Sequence, residues 1–369
     1  MTAMDDRHWM DRAIALARRG EGRTRPNPPV GAVVVRDGIC VGEGYHHRAG
    51  APHAEILALR AAGAQARRAT LYVTLEPCST RGRTGPCTEA ILAAGVTRVV
   101  VGAVDPNPRN GGRGIRRLRR AGVRVARYRA PAECEELLRP FACWVRAGRP
   151  YVTVKLAVSL DGRIADARGR SQWISGPASR RRVQAMRRRV DAVLVGVRTV
   201  IRDDPSLLCR ERGRHDALRV IADPAGELPL SARVLTDGEA HRTVVATTRR
   251  CPDKKRAAFA ARGARVDVLR GAGEGVSPRA LLKRLGNMDV LHVLCEGGGL
   301  LAGALARAKL VDEFALFMAP VFLGDRALPC LRGVQWPLAR APRLDVIESE
   351  RVGEDVFVRV RPRAGTREA

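Results

Sequence analysis

The sequence has little lysine and few aromatic residues. Only five of its 66 basic residues are lysine, and aromatic residues make up 4% of the chain. Sparse aromatics leave few surfaces on which bases could stack, which argues against a nucleic-acid-binding protein despite the net charge of +28. An arginine excess spread along the whole chain is what a GC-rich genome produces. We therefore assign the charge first to solvated surface, second to attraction of phosphorylated small molecules and third to nucleic acid.

Long apolar runs are also missing. No stretch approaches the roughly 20 apolar residues of a membrane-spanning helix, and the acidic start of the chain lacks the apolar core of a signal peptide. These absences predict a cytoplasmic protein without a membrane partner. Nine cysteines, an odd number scattered along the chain, argue against a disulfide framework. A length of 369 residues allows two domains.

One histidine and two cysteines form a metal-binding pattern. His53, Cys78 and Cys87 can fill three positions of a tetrahedral zinc and leave the fourth for water, as a catalytic zinc requires. Glu55 is not needed as a ligand and can move protons, so the pattern matches the signature of zinc deaminases. Eight residues separate the two cysteines, whereas deaminases acting on nucleobases and nucleic acids usually have two.

The first half of the chain predicts an α/β domain. Residues two apart on a helix do not share a face, so His53 and Glu55 can meet one metal only at a helix N-terminus, here a helix predicted over 54–62. A strand predicted over 70–75 leads into the cysteine loop. Because strands and helices alternate around it, we predict a three-layer αβα domain over 1–148, ending at Gly148-Arg149-Pro150.

The second half, 149–369, is also predicted to be α/β, with apolar strands such as 151–158 and 190–195. The strand over 291–295 ends in the glycine cluster 297–299, and a helix follows over 300–308. This order can cradle a phosphate, although a tight turn explains the glycines equally well. The cluster is not the Rossmann fingerprint.

Together these motifs resemble the bifunctional deaminase–reductase family of riboflavin biosynthesis. In the first half the resemblance rests on the zinc residues and on Asn27-Pro-Pro-Val-Gly, Gly44-Tyr-His-His, Ala51-Pro-His-Ala-Glu, Leu75-Glu-Pro-Cys-Ser and Asp105-Pro-Asn-Pro. In the second half it rests on Lys155-Leu-Ala-Val-Ser-Leu-Asp-Gly, Ser171-Gln-Trp-Ile-Ser, Gly196-Val-Arg-Thr-Val, Asp203-Asp-Pro-Ser-Leu and Glu296-Gly-Gly-Gly. The match runs from Met10 to Gly324 in the expected order.

The resemblance implies two successive reactions. A cytidine-deaminase-like domain over 1–148 would use one Zn²⁺ to hydrolyse an amino group from 2,5-diamino-6-ribosylamino-4(3H)-pyrimidinone 5′-phosphate. A dihydrofolate-reductase-like domain over 149–369 would reduce the ribosyl group to ribityl with NADPH. The expected partner is therefore a phosphorylated ribosylaminopyrimidine, and the resemblance also implies a homo-oligomer.

The resemblance assigns roles to individual residues. His53, Cys78 and Cys87 would bind zinc, and Glu55, Lys155 and Asp203 would be catalytic. The implied substrate-binding residues are Asn27, His46, Arg83, Asp105, Asn107, Ser171, Arg187, Leu207, Arg210 and Glu296. The implied cofactor-binding residues are Ala157, Trp173, Ser175, Thr199, Asp203, Gly298, Gly299, Leu300, Leu301, Ala302, Gly303 and Ala304. Other interpretations stay open: Trp173 as a core residue, Asp203 as part of a turn, and His47 as an exposed hairpin residue.

The sequence departs from the family pattern at five positions. Thr80 replaces a usual histidine, Gly85 a usual proline and Asn110 a usual apolar residue, while Glu227 replaces arginine and Phe317 replaces tyrosine. Thr80 favours one alternative, a paralogue with the same chemistry in a flavin-like or pteridine-like pathway. The retained reductase motifs argue against a non-catalytic second half, and the cysteine spacing argues against an RNA-editing deaminase.

Overall fold

The computed structural model describes residues 3–80, 85–209 and 217–363, and the chain divides into two compact units, Met1–Gly148 and Arg149–Ala369. The helices of unit 1 are α1 (Ala3–Arg18), α2 (Ala54–Ala62), α3 (Cys87–Ala93), α4 (Arg113–Arg120) and α5 (Ala132–Ala147). Its strands are β1 (Gly31–Arg36), β2 (Ile39–Tyr45), β3 (Thr70–Leu75), β4 (Arg98–Ala103) and β5 (Arg124–Arg127). Each unit is described below by itself.

Unit 1 is built on one mixed sheet with the strand order β2-β1-β3-β4-β5. Strands β1 and β2 form a hairpin, and its turn residues Asp37 and Gly38 both have positive φ, 51° and 77°. This backbone geometry is typical of a type I′ turn, for which Asp-Gly is a preferred pair. Strand β1 runs antiparallel to β3, and β3, β4 and β5 are parallel.

Helices cover both faces of this sheet. A Cβ atom at Gly31 would meet the backbone of Ala13 in α1, whereas one at Gly44 would meet Ala54 in α2. The register pairs Gly44 with Ala32, the neighbour of Gly31, and neighbouring strand residues face opposite sides of a sheet. Helices α1 and α2 therefore lie on opposite faces, which confirms the three-layer αβα prediction.

Unit 2 is built on a larger mixed sheet. Its helices are α6 (Pro177–Arg188), α7 (Val197–Asp203), α8 (Arg233–Thr236), α9 (Asp253–Ala261), α10 (Pro278–Gly286) and α11 (Gly299–Arg307). Its strands are β6 (Tyr151–Ser159), β7 (Arg163–Ala165), β8 (Ala192–Gly196), β9 (Leu218–Ala222), β10 (Thr243–Thr247), β11 (Arg265–Val268), β12 (Gly271–Ala272), β13 (Gly275–Val276), β14 (His292–Cys295), β15 (Glu313–Ala319), β16 (Leu328–Pro329), β17 (Leu344–Val352) and β18 (Asp355–Pro362).

The strand order of the large sheet is β11-β10-β9-β8-β14-β6-β15-β18-β17. The first seven strands in this order are parallel to one another. Strands β18 and β17 add an antiparallel edge beside β15. Ligands of open α/β sheets bind outside the carboxyl ends of the strands, so the strand ends of β8 and β14 are the expected location of a site. None of the helices in the described ranges combines the length and the apolar character that crossing a membrane requires.

Candidate active sites

The predicted zinc ligands meet at the ends of three elements in unit 1. The Nδ1 atom of His53 lies 3.2 Å from the Sγ atom of Cys87 and 3.6 Å from the Sγ atom of Cys78. His53 is the N-cap of α2, with extended backbone angles (φ −70°, ψ 162°), and Cys87 is the first residue of α3. The prediction that His53 precedes a helix N-terminus is confirmed.

The geometry of this cluster suits a tetrahedral zinc. Zinc–nitrogen and zinc–sulfur bonds of about 2.0 Å and 2.3 Å place the two ligand atoms about 3.5 Å apart in a tetrahedron, close to the separations given above. The thiol of Cys87 donates a hydrogen bond to Cys78 and lowers the pKa of the Cys78 thiol to about 4. The same contact raises the pKa of the Cys87 thiol. Thiolate is the form that binds metal, so Cys78 is prepared for this role, and the spacing of the three ligand atoms fits zinc.

Glu55 points its carboxylate into the same cluster from the first turn of α2. Its exposed fraction is 4%, and burial raises its pKa to about 6. The carboxylate also shares a hydrogen bond with the Cys87 thiol. A carboxyl group with a pKa near neutrality can both accept and return a proton at working pH, which is what general acid–base catalysis requires.

His46 and Asn27 form one wall beside the cluster. The Nδ1 atom of His46 lies 3.2 Å from the carbonyl oxygen of Pro52, so this nitrogen carries the proton, and Nε2 accepts a hydrogen bond of 3.0 Å from the Asn27 amide. Burial lowers the pKa of His46 and favours its neutral form. The ring centroid of His46 lies 5.4 Å from that of His53. His47, in contrast, is exposed.

The loop after β4 forms a second wall. Asp105 accepts hydrogen bonds from the backbone N–H of Asn107 at 2.8 Å and from the side chain of Asn110 at 3.2 Å. Thr80, one of the departures from the family pattern, donates to the side-chain oxygen of Asn110, a second departure, at 3.3 Å. Thr80 and Asn110, which both differ from the family pattern, thus contact each other. Arg83 lies outside the described residues.

The sequence analysis did not predict a role for Glu76. This residue lies in the loop that follows β3 and contains Cys78, here called the metal loop, and its hydrogen bonds join that loop to the second wall. Its buried carboxylate accepts backbone N–H groups of Asp105 (3.3 Å), Gly112 (2.8 Å) and Ile115 (3.1 Å). An acidic residue next to the Pro-Cys pair was the available signal, because a buried carboxylate needs hydrogen-bond partners.

Unit 2 contains a cavity of about 1400 Å³ at the carboxyl ends of β8 and β14. Of the predicted substrate and cofactor residues, it is lined by Lys155, Ala157, Ser171, Trp173, Ser175, Arg187, Thr199, Asp203, Leu207, Glu296, Gly298, Gly299, Leu300, Leu301 and Ala304. Ala302 and Gly303 do not line it. Ala302 packs in the core and Gly303 faces the backbone of Arg332, because the helical period turns these two positions of α11 away. Arg210 lies outside the described residues.

Two residues that line this cavity, Arg187 and Glu296, form an ion pair. Arg187 donates to both carboxylate oxygens of Glu296, at 2.6 Å and 3.0 Å, and the exposed fractions of the two side chains are 12% and 10%. Burial would raise the pKa of Glu296, but Arg187 outweighs it and the pKa is lowered. The resemblance implies that Arg187 binds the substrate. In the structure its guanidinium already donates hydrogen bonds to Glu296.

Two further predicted residues lie on the rim or wall of the cavity. Lys155 has its pKa lowered by burial, while Glu296 opposes this shift. Trp173 is 68% exposed and carries the guanidinium of Arg180 at 4.7 Å from its ring centroid. The interpretation of Trp173 as a core residue is therefore wrong. Glu227, the departure from arginine, also lines the cavity, whereas Phe317 is buried against Phe357.

Two family models match the chain. The model described as RibD C-terminal domain matches residues 150–358. The model described as Cytidine and deoxycytidylate deaminase zinc-binding region matches residues 3–103. The two matches fall on the two units.

Full-length relatives and solved structures are similar throughout. The Riboflavin biosynthesis protein RibD of Escherichia coli is 42% identical over 369 residues, covering 96% of this chain and 98% of its own. That of Aquifex aeolicus is 42% identical over 321 residues, covering 87% of this chain and 88% of its own. The structure of Acinetobacter baumannii RibD, form 1, matches with a TM-score of 0.87 at 38% identity, over 98% of this chain and 100% of that one.

A solved structure from Thermotoga maritima is also similar. Its structure is described as a diaminohydroxyphosphoribosylaminopyrimidine deaminase/5-amino-6-(5-phosphoribosylamino)uracil reductase. It matches with a TM-score of 0.86 at 35% identity, covering 98% of this chain and 99% of that one. The likeness therefore spans both units.

Proposed function

Because this chain belongs to the bifunctional deaminase/reductase family of riboflavin biosynthesis, we propose that its two units catalyse two successive steps. Unit 1, over 1–148, hydrolyses an amino group from 2,5-diamino-6-ribosylamino-4(3H)-pyrimidinone 5′-phosphate. Unit 2, over 149–369, then reduces the ribosyl group to ribityl with NADPH. The relatives described above favour this function over the specialised paralogue.

The observation that carries the proposal is the meeting of His53, Cys78 and Cys87 beside a buried Glu55. These three residues would hold zinc, which when bound lowers the pKa of water so that hydroxide is available near neutral pH. Glu55 takes a proton from the attacking water and returns it to the amine that leaves. Asn27, His46, Asp105 and Asn107 hold the pyrimidine and ribose in register with this carboxylate.

The second step depends on the ion pair in the cavity of unit 2. NADPH supplies a hydride when bound, and the protein contributes position and protons. Accepting this hydride at the ribosyl carbon would break the bond from that carbon to the ring oxygen, and the ring oxygen would then need a proton. Lys155 can provide it, since burial lowers its pKa. Arg187 keeps Glu296 ionised, and this carboxylate is a hydrogen-bond acceptor for the substrate.

We also propose a binding site for NADPH in the cavity of unit 2. The glycine-led start of α11 would take part of NADPH, together with Ala157, Ser175, Thr199 and Asp203. We also propose a homo-oligomer in the cytoplasm with no nucleic-acid partner.

Incubating the zinc-replete protein with the diaminopyrimidinone ribosylphosphate, with and without NADPH, tests the function. We expect ammonia in both cases and NADPH oxidation only after deamination. Treatment with a chelator should abolish ammonia release but spare NADPH oxidation with the deaminated compound, because the metal cluster lies in unit 1 and the cavity in unit 2. Absence of ammonia from zinc-replete protein would refute the assignment.

The exposed ring of Trp173 leads to a separate prediction for the cofactor. Replacing Trp173 with Ala should raise the KM for NADPH roughly three- to tenfold, because a stacked aromatic contact is worth about 0.5–1.5 kcal/mol. Steady-state NADPH oxidation measures it. Trp336→Ala is the matched control, since Trp336 is also exposed but does not line the cavity. An unchanged KM would remove Trp173 from the cofactor site.

A further inference from the structure

Glu227 lines the cavity of unit 2, and the reaction proposed above does not use it. It stands where the family pattern has arginine, so the sign of the charge at this position is reversed. Its side chain is exposed, and within the described part of the chain it forms no ion pair. An unpaired negative charge therefore borders the space in which a charged cofactor would bind.

A buried side chain fixes the backbone around Glu227. Asp223, which directly follows β9, has an exposed fraction of 0%. Its carboxylate accepts hydrogen bonds from the backbone N–H groups of Gly226, Glu227 and Leu228, each at 2.9 Å. A Cβ atom at Gly226 would lie 2.6 Å from the Sγ atom of Cys251, and Leu228 packs in the core. Because both neighbours are buried, Glu227 is the residue that this turn presents to the cavity.

The strand order places Glu227 at the adenosine end of a bound dinucleotide. Lys155 lies in β6, Glu296 follows β14, and α11 begins soon after it at Gly299. A helix N-terminus takes the phosphates of a dinucleotide. In the sheet, β14 lies between β6 and β8, and β9 comes next. A cofactor with its reactive ring at Lys155 and its phosphates at α11 therefore continues past β8 to β9, two strand spacings or about 10 Å from β14.

The size of the cavity suits a dinucleotide together with a second reactant. Its volume of about 1400 Å³ exceeds the roughly 300–1,000 Å³ of a pocket for one small ligand. NADH and NADPH differ only in a phosphate on the 2′ oxygen of the adenosine ribose. The charge beside that ribose therefore decides between the two cofactors.

A carboxylate and a phosphate monoester repel each other, because the phosphate carries about −1.5 to −2 charges at pH 7. Ribose hydroxyls, in contrast, donate hydrogen bonds to a carboxylate. Dinucleotide-binding proteins use this difference: an acidic residue binds the 2′-hydroxyl, whereas an arginine accommodates the 2′-phosphate. Glu227 thus favours the ribose that has no phosphate.

One arginine at the same end of the cavity has the opposite effect. Arg250 lies just beyond β10, the strand next to β9, and lines the cavity. Its guanidinium donates to the carbonyl oxygen of Glu274 at 2.9 Å, which holds it at this end. A 2′-phosphate would therefore meet one charge of each sign, so the site weakens the binding of NADPH without excluding it.

We propose that Glu227 makes the reductase accept NADH as well as NADPH, a role that rests on the proposed function of unit 2. Its carboxylate accepts hydrogen bonds from the ribose hydroxyls of NADH and repels the 2′-phosphate of NADPH, while Arg250 attracts that phosphate. The two effects oppose each other, so neither cofactor is strongly preferred. Glu227 is a specificity-determining residue, because it lies at the end of the cofactor that does not react.

The test compares the two cofactors in the natural chain and in two variants. With the deaminated compound, kcat/KM for NADH and NADPH should agree within about tenfold in the natural chain, because opposite charges at similar range nearly cancel. Glu227→Arg should shift the ratio towards NADPH by roughly 10- to 100-fold, as expected when hydrogen bonds to a charged group are gained. Glu354→Arg is the matched control, since Glu354 is also exposed but does not line the cavity.

Calorimetric titration with NAD⁺ and NADP⁺ at fixed ionic strength reads out the same preference without turnover. The two Kd values should be similar in the natural chain and in Glu354→Arg, whereas Glu227→Arg should bind NADP⁺ more tightly. Glu227→Gln keeps the size of the side chain and removes its charge, so its preference should lie between those of the natural chain and Glu227→Arg. Unchanged melting temperatures report that the variants are folded.

The possible outcomes separate this role from the proposed function. Tight binding of NADP⁺ by the natural chain with at least about a hundredfold preference over NAD⁺, which is near 3 kcal/mol, would overturn the role of Glu227 and leave the reductase function intact. An unchanged preference in Glu227→Arg would do the same. If neither cofactor binds to the natural chain, the reductase function of unit 2 is wrong, and the role of Glu227 is wrong with it.

Discussion

Replacing Glu55 with Gln is expected to lower the rate of ammonia release by about 10²–10⁴, the range that a positioned general acid–base group contributes. The amide keeps the size of the carboxyl group but can neither accept nor return a proton. The environment explains the choice of residue, because burial at 4% exposure raises the pKa of Glu55 to about 6. The measurement is ammonia release at saturating substrate, together with zinc content.

Two observations separate a proton-transfer role from damage to the metal cluster. Zinc bound per chain should stay the same in Glu55→Gln, whereas Cys87→Ser should lower it. NADPH oxidation with the deaminated compound should be normal in both variants, since their sites lie in unit 1. Loss of zinc in Glu55→Gln would show that the residue supports the cluster instead of moving protons.

Replacing Glu296 with Leu is expected to lower the melting temperature by roughly 6–20 °C. The substitution leaves the Arg187 guanidinium buried at 12% exposure without its carboxylate. Breaking such a pair costs about 3–5 kcal/mol in the free energy of unfolding, and each kcal/mol shifts the melting temperature by about 2–4 °C for a unit of this size. Thermal denaturation of the full chain measures this. NADPH oxidation should also be lost.

A second substitution tests the cause. Arg187→Met in the background of Glu296→Leu removes the unpaired charge, so most of the melting temperature should return, because apolar groups of similar volume can replace a buried ion pair at little cost. NADPH oxidation should stay lost, since the acceptor for the substrate is still missing. Recovery of oxidation would contradict the role of Glu296, and a double variant as unstable as the single one would contradict the ion-pair explanation.

The sequence predicted unit 1 well because local signals agree there. Helix α2 was predicted over 54–62 and is found at Ala54–Ala62, and the predicted strand 70–75 is β3. The metal cluster followed from this, since the chemistry of His53 and Glu55 demanded a helix N-terminus between two strands. Glu76 was missed because its partners, the N–H groups of Gly112 and Ile115, are more than 30 residues away.

Unit 2 was less predictable where its structure depends on distant charges. Helix α6 reads as an arginine run, with Ser179 and Val183 as its buried residues. It is held by Asp355, which accepts hydrogen bonds from the Gly176 N–H and the Ser179 hydroxyl, and by the pair of Arg182 with Glu348. These contacts span more than 160 residues, and no periodicity in the sequence reports them.

The burial of Arg219 is a second feature of unit 2 that the sequence analysis did not predict. Arg219 lies in β9 with an exposed fraction of 0% and donates to Thr243, Val234 and Asp237. The apolar residues around Arg219 in β9 are typical of a buried strand but give no reason for a charge in it. The whole set of partners, not the residue type, makes this burial possible.

The three backbone bonds to Glu76 also have a kinetic meaning. One carboxylate next to the loop of Cys78 holds the amides of Asp105, Gly112 and Ile115, so the metal loop cannot open while α4 and the loop after β4 stay closed. Local openings of a protein occur in cooperative segments, and here a single side chain merges two loops and a helix into one such segment. Cys78, a predicted metal ligand in a half-buried loop, thereby acquires the lifetime of a packed helix.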